Sequence, residues 1–275
     1  MRYAIVSDLH ANLEALSAVL QNIQRERIDQ AVCLGDIVGY NASPNEVVEL
    51  VLDRGICSIA GNHDRAATYQ KDAANFGALG RRAIEWTRRT LRPELTHFLG
   101  SLPSQLLVDG RFFAVHGALH PQPNDELHLS NDARVARSFQ ELLTGRFGAK
   151  ICFFGHTHRA VIYEHARGIL ARRSHPVVEL EPGAHYMINP GSVGQPRDGD
   201  PRAAYAVFDS AKATVELKRV DYDLNRAARR ARAEGLLDEV PFMRRSVVWM
   251  GHKFGDGRDL LQRGLNLARK HVPGG

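Results

Sequence analysis

Apolar and polar positions alternate along the chain between two periods, one suited to strands and one to helices. Arg2 to Ser7 reads as a buried strand. Asn12 to Arg27 then carries Leu13, Leu16, Leu20 and Ile23, a stripe at helical spacing. Gln30 to Leu34 predicts the next strand. Ser43-Pro44-Asn45-Glu46 has the form of a capping box with proline at the first helical position, and Gly55 closes that helix. Ile56 to Ala60 predicts a third strand, and a longer polar helical region covers about 72 to 100.

Past Pro103 the period changes. "QLLVDGRFFAV" sets Asp109-Gly110 between two β-prone runs, a two-residue hairpin signal. A helix around 132 to 143 leads into a strand at Lys150 to Phe154. Strands near 159–164, 176–180 and 185–188 precede the loop "NPGSVGQPRDGDP", and "AAYAVFD" with "ATVELKRV" forms a second hairpin. From Leu224 the pattern is helical and Arg-rich with a break at Pro241. The alternation predicts an α/β architecture. It also divides the chain into a main domain over 1–222 and a helical C-terminal extension over 223–275, packed on the same domain.

Composition narrows the class. A hydrophobic share of 44% and a charged share of 24% are those of a soluble globular chain. No apolar run approaches the roughly 18 residues of a membrane span, and Met1 leads straight into a strand, unlike a signal peptide. The three cysteines, Cys33, Cys57 and Cys152, sit in apolar runs. That points to reduced thiols and a cytoplasmic location, not to a disulfide framework. A net charge of +5 permits an anionic partner. The arginine clusters fall on helix-like segments without interleaved aromatics, so a nucleic-acid-binding module is only weakly supported.

The chemistry lies at strand ends. The first strand ends in Asp8 and His10, the second in Asp36, the third in Asn62, His63 and Asp64. The 103–116 hairpin ends in His116, and "GHTH" after Phe154 supplies His156 and His158. Ligands of open α/β sheets bind beyond such ends. Carboxylates and imidazoles crowded together need a cation to offset their burial. Two Asp, one Asn and four His offer oxygen and nitrogen donors without thiolate, which suits Mn, Fe, Zn or Ni better than Mg²⁺ or Ca²⁺. That is too many ligands for one catalytic ion, so two divalent ions are expected.

The blocks D-x-H, G-D-x-x-G, G-N-H-D, H-G and G-H-T-H, here Asp8–His10, Gly35–Gly39, Gly61–Asp64, His116–Gly117 and Gly155–His158, resemble those of the calcineurin-like metallophosphoesterase superfamily. "NPGSVGQPRDG" resembles its compact bacterial and archaeal phosphodiesterase-like branch. The resemblance implies two mixed β-sheets packed as a sandwich with helices on both outer faces. It implies a first metal on Asp8, His10 and His158, a bridging Asp36, and a second metal on Asn62, His116 and His156. A hydroxide between the metals would attack phosphorus in line. His63 would be the general acid for the leaving oxygen and Asp64 its orienting partner.

Protein Ser/Thr phosphatases of the superfamily extend the second block to G-D-x-V-D-R-G. Here Gly39-Tyr40-Asn41 replaces the acid and the phosphate-gripping arginine. Arg65 and Arg197 are the candidates to take that arginine's place. His120, His128, His165, His175 and His185 lie outside the blocks and read as surface or core histidines. Asn189 and Ser192 read as shaping a loop at the rim. The expected activity is a phosphodiesterase acting on a small-molecule or nucleotide phosphate ester. The alternatives are a phosphomonoesterase, a dinucleoside polyphosphate hydrolase and, in another class, a non-catalytic metal-binding scaffold.

Overall fold

The computed structural model describes residues 1–120, 127–173 and 175–237. One sheet contains β1 (Arg2–Val6), β2 (Gln30–Cys33), β3 (Cys57–Ser58), β9 (Val177–Glu179), β11 (Ala203–Asp209) and β12 (Thr214–Val220), in the order β3-β2-β1-β11-β12-β9. The other contains β4 (Gln105–Val108), β5 (Phe112–Val115), β6 (Ile151–Phe154), β7 (Val161–Ala166), β8 (Ile169–Arg173) and β10 (His185–Asn189), in the order β4-β5-β6-β10-β7-β8. Both sheets are mixed. β1, β2 and β3 run parallel, as do β5, β6 and β10, with antiparallel strands beside them.

Side-chain alternation turns these strands into a four-layer body. Tyr3 and Ile5 of β1 face inward and join Val32 and Leu34 against Phe112, Phe153, Tyr186 and Ile188 of the second sheet. Ala4 and Val6, pointing the other way, pack under α1 (Leu13–Arg25), α2 (Pro44–Asp53) and α5 (Pro93–Ser101). On the far side, Val115, Cys152 and Phe154 pack under α6 (Asp132–Leu143). A strand buried on both faces must be apolar throughout, which is why Arg2 to Ser7 shows no polar alternation. The inner layer is aromatic: Phe112 meets Tyr3 at 5.2 Å and Phe153 at 5.1 Å between ring centroids, both edge-on. Phe153→Ala is expected to cost about 3–5 kcal/mol, read from urea unfolding, because the rigid layer cannot close the cavity.

Several elements differ from the sequence pattern for local reasons. The helical region expected over 72 to 100 is a short 3₁₀ turn at Ala73–Asn75, then α4 (Ala78–Thr90), then α5. Pro93 makes the division, because Arg92 before it is held extended at ψ 147°. The capping box at Ser43 does not form. Its side chain makes no cap bond and instead accepts from Arg230 Nη1 at 3.0 Å. The Asp109-Gly110 hairpin is present with both residues at positive φ. A second hairpin, β7–β8, turns on Arg167 and Gly168, also both at positive φ. Arg-Gly is not among the favoured turn dipeptides, so the pattern gave no sign of β8.

Of the C-terminal extension, the described part is α7 (Leu224–Ala233) and the turn after it. Arg226 and Arg230 reach Glu14 of α1 at 3.3 and 3.1 Å. Ala231 and Leu236 are buried with Ala83 of α4. The expected break at Pro241 and the remainder of the 223–275 segment lie outside the described residues.

Candidate metal centre

The loops after β1, β2, β3, β5 and β6 meet at one edge of the sandwich. Asp8, His10, Asp36, Asn62, His116, His156 and His158 all come together there, and all are buried. Their side chains form two groups, Asp8, His10, Asp36 and His158 in one and Asp36, His116 and His156 in the other, each with ligand atoms within 4.8 Å of one another. Asp36 belongs to both. Asn62 Oδ1 lies 3.2 Å from His116 Nε2 and so stands at the second group.

The hydrogen bonds of the histidines test whether cations fit. Carbonyl oxygens only accept, so Nδ1–H of His10 donates to Val38 (3.2 Å), that of His158 to Gln195 (2.7 Å) and that of His116 to Leu34 (2.8 Å). A neutral ring held this way presents a bare lone pair on Nε2. His10 and His158 therefore aim two lone pairs at each other across 3.1 Å. His116 Nε2 stands beside Asn62 Oδ1 and 3.3 Å from Asp36 Oδ2. Converging acceptors with no donor between them repel, and a cation removes the repulsion. The residues present fit a divalent pair.

Burial sets the charge states accordingly. It holds His10 and His158 well below the ordinary histidine range and pushes Asp8 up to about 6. Burial also opposes charge on His116, but the Asp36 and Asp8 carboxylates outweigh it and lift that ring to about 10. For Asp36 burial again acts first and upward, and the surrounding imidazoles overcome it, holding the carboxyl well below its usual range.

The backbone is strained where the ligands sit. Asp8, His10, Asp36, His156 and His158 all adopt positive φ, between 47° and 65°. Each such non-glycine residue costs about 1–3 kcal/mol and persists only where its surroundings hold it. Here Asp8 N–H donates to Gly35 O (3.0 Å), His10 N–H to Asp36 O (2.9 Å) and Ala11 N–H to Ile37 O (2.9 Å), lacing the first two loops together. Gly61 is required at its position because a Cβ would strike the Asp36 carboxylate. Asn189 and Ser192, expected at the rim, are instead fully buried and brace these loops from within. Asn189 Nδ2 donates to Gly155 O at 2.7 Å and Ser192 Oγ to Asp8 O at 2.8 Å.

His63 opens α3 (Asn62–Ala67), and its backbone N–H donates to Asp36 Oδ1 at 2.8 Å. Its Nδ1 is buried against Gly39 without a partner, leaving the Nε2 edge for the cavity above the ligands. Asp64 is not the orienting partner expected for it. That carboxylate accepts from the backbone N–H groups of Ile37 (2.8 Å), Val38 (3.1 Å) and Gly61 (2.9 Å), so it fastens the second loop to the third.

The cavity, about 370 Å³, is walled by Tyr40, His63, Lys71, Phe76, His128 and Arg197 over the ligand floor. Of the two candidate arginines, Arg197 lines it and Arg65 does not. Arg197 is held by its N–H to His158 O (3.0 Å) and by Nη2 to Gln195 Oε1 (2.7 Å). His128, expected to be unrelated to the site, stands in its wall. Lys71 and Phe76 belong there too and carried no motif to mark them.

The sequence model of the calcineurin-like phosphoesterase superfamily domain matches residues 1–213. The chain belongs to this superfamily. A metallophosphoesterase of Sphaerobacter thermophilus is 37% identical and superposes with a TM-score of 0.72 over 86% of this chain and 95% of that one. An uncharacterized protein of Methanocaldococcus jannaschii is 36% identical over 231 residues, 82% of this chain and 89% of its own. A hypothetical protein of Pyrococcus horikoshii OT3, 20% identical, shares the fold with a TM-score of 0.69 over 86% of this chain and 95% of that one. Membership in the superfamily and the two buried groups able to hold a metal support a metal-dependent phosphoesterase. No helix of the described residues is long and apolar enough to cross a membrane.

Proposed function

We propose that the protein is a phosphodiesterase with two divalent ions, one on Asp8, His10 and His158 and one on Asn62, His116 and His156, with Asp36 bridging them. The observation that carries this reading is the convergence of the His10 and His158 lone pairs, and of the His116 ring edge, on the Asp8 and Asp36 carboxylates. When bound, the ions supply Lewis-acid stabilisation of a phosphoryl group and acidify the attacking water. Manganese, iron, zinc and nickel all suit the donor set.

The chain's own residues do the rest. Unpaired buried N–H groups are rarer than unpaired acceptors, so the His63 proton belongs on Nε2, facing the cavity, and not on the sealed Nδ1. Burial pushes this ring down to about 4 although Asp36 pulls the other way. The Nε2–H so placed faces the cavity as a donor toward the leaving oxygen of a bound ester, the position of the candidate general acid. Arg197 offers a guanidinium 5.7 Å over the Tyr40 ring, in the cavity where the missing arginine of the second block would otherwise act. Tyr40, Phe76 and Gly77 also line the cavity, whose volume of about 370 Å³ accommodates a diester of a small molecule or nucleotide. The free cysteines are consistent with a cytoplasmic setting.

The test pairs bis(p-nitrophenyl) phosphate with p-nitrophenyl phosphate on protein stripped of metal and reloaded with Mn²⁺, Zn²⁺, Ni²⁺ or Mg²⁺. Faster metal-dependent turnover of the diester is the expected result. A preference for the monoester would move the assignment to a phosphomonoesterase.

A further inference from the structure

His128 sits just before α6 and outside every motif block, yet its ring lies face to face with His156, centroids 3.7 Å apart and planes 28° from parallel. The groups able to hold a metal include His156 and not His128. Its position is anchored from behind. Arg134 Nη1 donates to the His128 carbonyl at 3.1 Å, and Asn131 caps α6 through the Arg134 N–H at 3.0 Å. Neither ring nitrogen meets a hydrogen-bond partner among the described residues, and the ring lines the cavity above the second ligand group. An imidazole clamped by its backbone and stacked on a ligand, with its polar edge unused, is aimed at what enters the cavity.

We propose that His128 contacts substrate, donating a hydrogen bond from its ring to an oxygen of the phosphoryl group held over the ligand floor. The proposal rests on the phosphoesterase reading for the identity of that group. In either neutral tautomer one ring nitrogen carries a proton, so the donor does not depend on the ring's charge. His128 and Arg197 together supply the phosphate grip that the second block lacks. The stack on His156 adds a second effect, holding that ligand's ring plane.

Three variants separate the roles: His128→Ala removes both, His128→Phe keeps a stacking ring without a donor, and His128→Gln keeps a donor without the ring. The readouts are ions per chain by mass spectrometry, affinity of the Mn²⁺-loaded protein for inorganic phosphate by calorimetry, and KM against kcat for bis(p-nitrophenyl) phosphate. His128→Phe, which keeps the stack, should retain the wild-type metal content. Ala and Phe should weaken phosphate binding by about tenfold or more, the scale of a hydrogen bond to a charged group. The same two should raise KM more than they lower kcat, while Gln recovers part of the loss. Phosphate affinity in Phe equal to wild type would overturn the proposal, as would loss of an ion in Phe, which keeps the stack and lacks only the nitrogens and would therefore make His128 a ligand. Should wild type bind phosphate and turn nothing over, a weakened Phe variant would still uphold the contact while the phosphoesterase reading failed.

Discussion

Asp36→Asn is expected to lower phosphodiester turnover by about 10³-fold or more and to take the protein below two bound ions per chain. The magnitude follows from the several kcal/mol of transition-state stabilisation that a metal pair supplies, at a factor of ten per 1.36 kcal/mol. The substitution is chosen because it separates charge from shape. Asn can keep the 2.8 Å bond accepted from the His63 N–H and fits beside Gly61. What it removes is the negative charge shared by the two ligand groups. Folding should survive, because Asn has the shape of Asp and keeps the bond accepted from the His63 N–H. Turnover and metal content measured on the same preparation check the expectation. A variant that bound two ions and turned over normally would show that Asp36 does not bridge.

His63→Ala should leave the metal content intact and lower kcat in proportion to how poor the leaving group is. General acid catalysis contributes roughly 10²–10⁴-fold where the departing oxygen needs a proton. A p-nitrophenolate leaves without one, so the loss there should be small, while an alkyl or ribosyl oxygen should show the full effect. The contrast distinguishes proton donation from disturbance of Asn62, whose loss would slow both substrates alike. His63→Ala also opens space at Gly39, where the ring now rests. A equal loss on both leaving groups would assign His63 to binding instead.

How much of this was visible in the sequence depends on what each feature rests on. The cluster of candidate ligands was legible because every member ends a strand whose apolar run marks itself, and the topology brings those ends to one edge. The grouping of ligands about Asp36 was not derivable from residues alone and came from the family resemblance. The role expected for Asp64 failed for a physical reason: three backbone N–H groups compete for its oxygens, and loop geometry of that kind leaves no trace in residue type. Arg65 and Arg197 look alike in sequence, and only the 2.7 Å bond to Gln195 and the N–H bond to His158 turn Arg197 into the cavity. His128 was invisible because its importance comes from stacking across the fold on His156, a contact no local pattern encodes. In the fold, β8 escaped notice because its turn uses Arg167-Gly168, and the long helix was over-read through Pro93.

The central claim is that two ions on these seven side chains make the chain a phosphoesterase. Its most direct test is titration of chelator-stripped protein with Mn²⁺ while bis(p-nitrophenyl) phosphate hydrolysis is followed. Activity that is absent without metal and rises to a plateau at two equivalents per chain is the predicted result. Hydrolysis that persists in the stripped protein, or two equivalents bound with no turnover by any of the four metals, would contradict it and favour a binding scaffold built on the same fold.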